Sequence, residues 1–586
     1  MDFIDKKRNK LFNDIVEYSK ENKLEILELN EVHSNKYKIS NIANRLNPIV
    51  DNVDVIIPAG AFFGDEAKGK TSDAIARHPE VAIVARVNSG ENAGHTVYHN
   101  GIKFVFNLTP SAVFTKADNL IGANCVMDPI SFMEKEVSQL VNNNVDYKRK
   151  LFVGNVSIVT PYHKIMDALG RANSSTLKGM SSVHASKSRK KDIRIDDLYA
   201  SKEHQERMFK SDMLVYEALL QKLGEDKAGL IKKLEAKNSD GNIRIPKHVL
   251  DFLRAENPIE YLYNLYQDNV VNNENFPKII DTQKLMHDTL KKGKKIILEG
   301  PQSYFLSNMV ETHHRSSTSA DTSGIGIAAA SGINLAKYKL AVINVHKAPA
   351  SSRVGLGSNP AAYVSQTFFS DRNIETLSAM EGRCEDFNGI QKAFFESIDK
   401  NGLISPVIYL DKDEEVDITA AMAISSSREY GERGATTLKP RITGMFDCVA
   451  HFNLNEAQGP YLTISALDRG DVCDKIGIVI AYIVSNKGGN ELVSKGIKYN
   501  HGDIIKAGDS LPNENVLEKC VPVVKVLDAW KDTPIAATKG AIKYAEYLPK
   551  NVARFISEIE YYTGAEVISI GNGPETENLI YIKREK

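Results

Sequence analysis

The sequence lacks several features that would assign it to a specialised class of protein. No apolar run approaches the length needed to cross a membrane, and the first residues contain no apolar segment of the secretory type. The formal net charge is −1, which gives no electrostatic reason to bind nucleic acid or an anionic membrane. Only five cysteines occur among 586 residues, without a Cys-x-x-Cys pair, so a zinc site or disulfide framework is not expected. These absences predict a cytoplasmic protein that binds neither nucleic acid nor membrane.

What the sequence does contain is the pattern of a large α/β protein. Its hydrophobic residues make up 42% of the chain, enough for one large core or several small ones. From residue 53 onward, short apolar strands alternate with amphipathic helices, which predicts a large central, mostly parallel sheet flanked by helices. We expect residues 1–50 to form a helical extension and residues 51–586 the main domain, with helical insertions at about 200–290 and 357–430.

The residues from Gly64 to Thr71 read Gly-x-x-x-x-Gly-Lys-Thr, the pattern of a phosphate-binding loop. An apolar strand is predicted ahead of this loop, over Val53–Phe63, and a short helix behind it, over Thr71–Arg77. A strand, a glycine turn and a helix N-terminus direct backbone N–H groups and the positive end of the helix dipole at one point, which suits a phosphate. The alternative interpretation is a tight strand-to-helix turn that binds no ligand.

Further polar loops follow other predicted strands. The strand Val81–Val87 leads into the small-residue loop Asn88–Thr96, and an Asn-Gly pair at 100–101 predicts a β-hairpin. Residues 170–192 are rich in Ser, Lys and Arg, which predicts either a mobile loop that orders over an anion or a solvated basic loop. The other predicted features are strands over Lys294–Gly300, Lys339–Val345 and Glu566–Ile570, a hydroxyl-rich loop over Ser316–Gly324 and a turn over Gly571–Pro574.

These polar segments, taken in order, resemble one enzyme family. The segments are Gly64–Lys70, Asn92–Thr96, Asn107–Ser111, Glu299–Gln302, Thr318–Thr322, Ser352–Gly355, Gly434–Thr437 and Gly573–Pro574. Each is weakly specific alone, but together, from about residue 53 to residue 586, they strongly resemble adenylosuccinate synthetase. The resemblance implies a homodimeric enzyme that joins IMP to L-aspartate at the expense of GTP, with Mg²⁺. It implies phosphorylation of the purine 6-oxygen, followed by displacement of phosphate by the aspartate amine.

The resemblance also implies roles for residues of three loops. Asp65 matches the general base that removes the N1 proton of the purine, and His95 matches the general acid. Lys68 and Gln302 complete the implied catalytic set, and Asp65 with the Gly94 carbonyl would hold the metal. Considered alone, Asp65 could instead be a helix N-cap, and a lone histidine is more often structural than catalytic.

The remaining implied contacts are with the three substrates. The residues implied to bind GTP and its phosphates are Gly64, Asp65, Glu66, Ala67, Lys68, Gly69, Lys70, Gly94, His95, Thr96, Arg441, Asp468, Gly571, Asn572 and Gly573. Those implied to bind IMP are Asn92, Ala93, Thr176, Lys190, Gln302, Thr318 and Lys439. Among them, Lys190 matches an arginine that reaches the nucleotide of the neighbouring subunit. Those implied to bind L-aspartate are Ala435, Thr436, Thr437, Lys439 and Arg441.

Four departures from the family pattern bear on specificity. Ala67 replaces a glycine of the phosphate loop. The family's arginine-rich run reads Leu438-Lys-Pro-Arg441 here, so Lys439 supplies charge without the planar fork of an arginine. In the guanine-reading segment Asp468 is kept, whereas Ala466 stands where the family has a lysine. The chain is also longer than is usual in the family. The donor could therefore be GTP or ATP.

Two other functions are compatible with the sequence. One is ligation of aspartate to a (d)GMP-type nucleotide with ATP, as in the viral 2-aminoadenylosuccinate synthetases of the family. Those enzymes typically replace the base aspartate by a small residue, so the retention of Asp65 favours IMP. The other is a non-catalytic nucleotide-binding paralogue, which the retention of Asp65, Lys70, His95 and Gln302 disfavours.

Overall fold

The structure is a computed structural model. It describes residues 26, 36–40, 51–169, 178–224, 226–239, 245–355, 357–364, 382–405, 407–411, 414–433, 440–537 and 546–584. Three predictions lie wholly or mostly outside the described residues: the helical extension expected over residues 1–50, Thr176, and the residues Ala435, Thr436, Thr437 and Lys439.

The strands of the described residues come in chain order as follows. They are β1 (Tyr37–Ser40), β2 (Val55–Gly60), β3 (Val81–Ser89), β4 (His95–His99), β5 (Ile102–Phe106), β6 (Asp118–Met127), β7 (Leu151–Val153), β8 (Ser157–Ile158), β9 (Lys278–Ile279), β10 (Lys295–Glu299), β11 (Leu340–Lys347), β12 (Ser351–Ser352), β13 (Ile408–Asp411), β14 (Glu414–Asp417), β15 (Thr443–Gly444), β16 (Phe446–Asp447), β17 (Tyr461–Ser465), β18 (Lys475–Val484), β19 (Leu492–Ser494), β20 (Ile497–Tyr499), β21 (Ile504–Lys506), β22 (Cys520–Asp528), β23 (Glu566–Gly571) and β24 (Leu579–Arg584).

The helices follow the same order. They are α1 (Lys68–Ala76), α2 (Pro129–Phe132), α3 (Ser138–Asn142), α4 (Pro161–Leu169), α5 (Met180–Ser188), α6 (Lys202–Leu223), α7 (Lys227–Ser239), α8 (Lys247–Arg254), α9 (Pro258–Tyr266), α10 (Thr282–Lys291), α11 (Gly324–Ala330), α12 (Phe387–Glu396), α13 (Ile418–Glu429), α14 (Cys448–Gln458), α15 (Glu514–Leu517) and α16 (Lys550–Thr563). In the part of the chain that the structure describes, no helix combines the length and apolarity needed to span a membrane.

One large sheet organises the described residues. Its strand order is β1-β24-β23-β17-β11-β2-β10-β3-β6-β7-β9, with β8 beside β6. From β23 to β9 every neighbouring pair is parallel, whereas β24 and β1 pair antiparallel at one edge. The predicted mostly parallel sheet is therefore confirmed. Strand β1 lies within the predicted N-terminal extension, so that part of the extension is an edge strand of the main sheet.

Strand β2 runs through the middle of this sheet and is buried along its whole length. Successive side chains point to opposite faces, so Val55 and Ile57 pack in one apolar cluster and Ile56 in another. The first cluster contains Leu290 from α10, and the second contains Ile75 from α1. Continuous burial of this kind is typical of a parallel strand covered by helices on both sides.

Several local predictions are confirmed and two need correction. The hairpin of β4 and β5 turns at Asn100 and Gly101, both with positive φ, and residues 202–291 are largely helical as expected. The helix after the phosphate loop begins at Lys68, three residues earlier than predicted. The prediction of a loop over 170–192 is wrong for Met180–Ser188, which forms α5. Its composition is misleading because Ser186 is buried and donates a hydrogen bond of 2.6 Å to Asp212.

Candidate active site

The predicted site residues lie mainly in loops at one edge of the central sheet. In a parallel sheet, the carboxyl ends of the strands meet at the same edge, where ligands commonly bind. The loops that follow β2, β3, β10, β11, β17 and β23 therefore lie along one line, with the phosphate loop after β2 near its centre.

The phosphate loop has a backbone that few side chains favour. Gly64, Asp65 and Ala67 have φ angles of 97°, 57° and 64°, in the left-handed region, and Ala67 directly precedes α1. Glu66 anchors the loop to the residues after β2 and β10, since its buried carboxylate accepts hydrogen bonds from Phe62 N (2.7 Å) and Ser303 Oγ (2.5 Å). Two consecutive left-handed residues turn the chain sharply, so that the first N–H groups of α1 remain available to an anion.

Asp65 lies at the mouth of this loop with half of its side chain exposed (50%). Its carboxylate accepts a hydrogen bond from Arg441. Burial alone would raise the pKa of Asp65, but the charges of Lys347 and Arg441 outweigh it and hold the pKa below its usual value. The N-cap position of α1 is Ala67, without a side-chain capping bond, so the interpretation of Asp65 as an N-cap is wrong.

His95 lies beside the phosphate loop at the start of β4. A side chain on Gly69 would come within 2.7 Å of Ser111 Oγ and 3.4 Å of His95 Cδ2, so the two loops are in close contact. His95 Nε2 is 3.9 Å from Glu299 Oε1 and has no hydrogen-bond partner among the described residues. Burial lowers the pKa of His95 to about 4, although Glu299 pulls it upward, so the imidazole is neutral at pH 7. An unpartnered buried nitrogen beside a phosphate loop fits a group that acts on a phosphoryl oxygen.

Two residues implied to bind IMP come together from distant parts of the chain. Asn92 Nδ2 donates a hydrogen bond of 3.0 Å to Thr318 Oγ1, across a separation of 226 residues. The same loop is fixed at Ala93, whose carbonyl accepts from Asn107 Nδ2 at 2.8 Å. Gln302, after β10, has a φ of 50°, and its Oε1 atom has no partner among the described residues.

The C-terminal turn and the phosphate loop meet through Lys70. Lys70 Nζ donates to the carbonyls of Gly573 (2.5 Å) and Asn578 (3.3 Å), and an atom added to Gly571 would lie 3.2 Å from it. Burial lowers the pKa of Lys70 to about 8, against the charge of Asp468. The implied phosphate-binding and base-reading residues are therefore neighbours.

Asn572 uses one end of its amide side chain within the protein. The side chain is buried, and its Nδ2 donates to Ile535 O at 2.8 Å. The amide nitrogen thus holds the 535–572 contact together, whereas Oδ1 has no hydrogen-bond partner among the described residues.

The donors implied for a magnesium ion fit that metal. In the part of the chain that the structure describes, no group of three or more His, Cys, Asp or Glu side chains could hold a metal ion. The implied ligands are one carboxylate, on Asp65, and one backbone carbonyl, of Gly94. Mg²⁺ commonly takes one or two carboxylates and completes its shell with water and substrate phosphates. A half-exposed, ionised Asp65 beside the phosphate loop suits an ion that arrives with a nucleotide.

Comparison with known proteins identifies the family. Residues 55–580 match the family model of adenylosuccinate synthetase. The adenylosuccinate synthetase of Trypanosoma brucei gambiense is 50% identical over 559 residues, which cover 94% of this chain and 92% of the relative. The chain belongs to the adenylosuccinate synthetase family. The synthetase of Leishmania major is 48% identical over 561 residues, covering 94% of this chain and 79% of the relative.

A solved structure supports the fold independently. The fully ligated adenylosuccinate synthetase of Plasmodium falciparum superposes with a TM-score of 0.60 and 21% identity, covering 90% of this chain and 99% of that chain. This likeness confirms the predicted α/β class, and the family predicted from the motifs is confirmed by the family model and the relatives above.

Two further predicted residues, Lys190 and Thr96, are exposed to solvent. Lys190 is exposed just after α5, and Thr96 is exposed on β4. Arg441, one of the residues implied to bind L-aspartate, contacts Asp65.

Several charged residues of the site were not predicted from the sequence. Lys347 ends β11 beside Asp65, and Arg86 lies within β3, where its Nη1 is 3.7 Å from Glu299 Oε1. A charged residue in an apolar strand that ends at the ligand edge was the available signal for both. Glu432, which accepts from Lys347, gave no such signal.

Proposed function

We propose that this member of the adenylosuccinate synthetase family joins L-aspartate to C6 of IMP with GTP as the phosphate donor. The observation that carries the proposal is the meeting of an ionised Asp65, a neutral His95 with an unpartnered Nε2 and the phosphate loop at one sheet edge. A carboxylate that takes a proton and a nitrogen that acts on a phosphoryl group are the two functions that such a transfer needs.

In the first step, Asp65 removes the N1 proton of IMP, and the purine O6 attacks the γ-phosphorus of GTP. GDP leaves, and the phosphoryl group remains on O6. Lys68 and the first N–H groups of α1 bind the transferring phosphoryl group, and His95 acts on its oxygens or on the leaving group. Mg²⁺, held by Asp65 and the Gly94 carbonyl, would neutralise phosphate charge.

In the second step, the amine of L-aspartate attacks C6, and inorganic phosphate leaves with the former O6. We infer that Arg441 and the loop from Ala435 to Lys439 bind the aspartate carboxylates. The purine nucleotide is positioned by Asn92, Gln302 and Thr318, two of which are already hydrogen-bonded to each other.

For the donor, we propose GTP with relaxed selectivity. Asp468 can accept hydrogen bonds from the N1–H and 2-amino groups of guanine, but Ala466 supplies no cation beside it. The loss of one discriminating contact lowers selectivity by about ten- to a hundredfold, so ATP should support measurable turnover.

We also propose a cytoplasmic homodimer. The five cysteines are buried free thiols, which suits a reducing compartment. Lys190 is exposed at the end of α5, where a lysine can reach a neighbouring subunit.

The test crosses two acceptors with two donors. Phosphate release and adenylosuccinate formation are measured with IMP or dGMP, each with GTP or ATP, at saturating L-aspartate and Mg²⁺. We expect the highest kcat/KM with IMP and GTP, and a lower but measurable value with IMP and ATP. Turnover with dGMP but not IMP would refute the proposed acceptor, and a GTP preference above about a thousandfold would refute relaxed donor selection.

A further inference from the structure

A buried carboxylate outside the implied catalytic set links three parts of the site. Glu432 follows α13 and is only 4% exposed. We name its surroundings the Glu432 cluster, formed by Glu432, Lys347, Ser352, Arg441 and Arg469. The four partners come from three segments: Lys347 and Ser352 from the end of β11 and the following β12, Arg441 from the segment before β15, and Arg469 from the segment after β17.

The first link is to the loop that follows β11. Glu432 Oε1 lies 2.7 Å from Lys347 Nζ, and its Oε2 accepts a hydrogen bond of 2.6 Å from Ser352 Oγ. Lys347 is one of the two cations whose charge acts on Asp65. Glu432 therefore fixes a charge that faces the proposed base.

The second link is to the loop proposed to bind L-aspartate. Arg441 Nη1 lies 4.0 Å from Glu432 Oε2, and Arg441 N donates to the Glu432 carbonyl at 2.9 Å. The next residues inward, Arg433 and Pro440, form an antiparallel bridge. Glu432 thus holds both ends of the segment 433–440 at its base.

The third link is to the nucleotide-reading segment. Arg469 Nη2 donates to Glu432 Oε1, and Arg469 Nη1 donates to Ala350 O at 2.7 Å. Arg469 is adjacent to Asp468, which is proposed to read guanine, in the 3-10 helix Leu467–Val472. A change in the position of Arg469 would be transmitted to Asp468 through one peptide unit.

The positive charges of Lys347 and Arg469 hold the Glu432 carboxylate firmly in place. Burial would raise the pKa of Glu432, but Lys347 and Arg469 outweigh it and hold the pKa far below its usual value. A buried carboxylate with several donors is strongly held, and removal of one partner leaves the others with an unmatched charge. The Glu432 side chain therefore holds the segments of Lys347, Arg441 and Arg469 in one arrangement.

We propose that Glu432 is a positioning residue that couples the L-aspartate site to the donor-nucleotide site. It contacts no proposed substrate directly and acts through Arg441 on one side and Arg469 on the other. The inference rests on the proposed function, which assigns the aspartate loop and Asp468 to these two substrates.

The decisive variant is Arg469→Met, because Arg469 is outside the aspartate loop. We expect it to raise the KM for L-aspartate about tenfold, together with the KM for GTP, while the KM for IMP stays within about twofold. Glu432→Gln should raise the same two constants. The double variant should have the KM for L-aspartate of Glu432→Gln alone, since Arg469 acts through Glu432. Glu429→Gln, exposed at the last residue of α13, is the matched control and should leave all three constants unchanged.

The outcomes separate the inference from the proposed function. A wild-type protein that makes no adenylosuccinate from IMP, L-aspartate and GTP would refute the function. An active wild type with an unchanged KM for L-aspartate in Arg469→Met would refute the coupling, as would equal rises in all three constants or additive effects in the double variant. If Glu432→Gln fails to fold, as judged by its melting curve, the Arg469→Met result still decides.

Discussion

The phosphate loop and the Glu432 cluster serve the same site but are built in opposite ways. The loop is a run of seven consecutive residues, Gly64–Lys70, whose backbone carries the function. The cluster joins side chains that are 85 and 37 residues from Glu432, at Lys347 and Arg469. The proposed phosphate-binding group is therefore built from neighbouring residues, whereas the group proposed to align separate substrates joins separate segments.

The largest expected effect tests the loop, through Asp65→Asn. Asparagine tolerates the left-handed conformation at φ 57°, so the backbone should be retained while the proton acceptor is lost. We expect kcat to fall by about 10²–10⁴-fold, the usual contribution of a general base, without a change in melting temperature. Steady-state kinetics and calorimetry measure the two quantities.

His95→Ala gives a second measurement of the same kind. It should lower kcat by a similar factor, about 10²–10⁴-fold, with the KM for L-aspartate unchanged. Near-normal kcat in either variant, in a protein that melts normally, would contradict the assignment of base and acid.

An intermediate effect on the KM for IMP is expected at the pair Asn92 and Thr318. This pair has features of both regions, since it combines continuous motifs with a contact between distant segments. Each residue lies in a recognisable loop, but their 3.0 Å hydrogen bond joins positions 226 residues apart. Asn92→Ala and Thr318→Ala should each raise the KM for IMP about tenfold, the equivalent of one lost hydrogen bond. The double variant should be little worse than either single one, because the two side chains share that bond. Strictly multiplicative effects would show that they bind IMP independently.

The contrast between continuous motifs and long-range contacts also explains how much could be predicted from the sequence. The phosphate loop, the strand before it and the His95 loop were recognisable because each motif is continuous and sits beside an apolar strand. The start of α1 was placed three residues late, since Lys68, Gly69 and Lys70 give no helical pattern of their own.

Long-range contacts left no comparable signal. In the sequence Glu432 is an ordinary acidic residue, and only the fold brings Lys347 and Arg469 to it. The serines of α5 were interpreted as loop residues because their buried partners, Asp167 and Asp212, are distant in sequence. The hydrogen bond from Asn572 to Ile535 could not be foreseen for the same reason, because the two residues are distant in sequence.

The smallest expected effect is on stability, at Ala67→Gly. Ala67 has a φ of 64°, a conformation that costs an L-residue about 1–2 kcal/mol and costs glycine almost nothing. Glycine in turn gains about 0.5–1 kcal/mol of freedom in the unfolded chain, so a net stabilisation of about 0.5–1 kcal/mol remains. In a chain of this size we expect a rise of about 1 °C in melting temperature, measured by calorimetry at one scan rate.

A second alanine-to-glycine variant, Ala336→Gly, shows whether the effect at Ala67 comes from its positive φ or from the added glycine itself. Ala336 is also exposed but has no positive φ, so Ala336→Gly should lower the melting temperature slightly. Because the strain at Ala67 is local to the loop, its relief should leave the KM for L-aspartate unchanged, in contrast to any change in the Glu432 cluster. A lower melting temperature for Ala67→Gly would mean that the methyl group has packing contacts worth more than the strain. An altered KM for L-aspartate would mean that the strain at Ala67 reaches the cluster, through the hydrogen bond between Arg441 and Asp65.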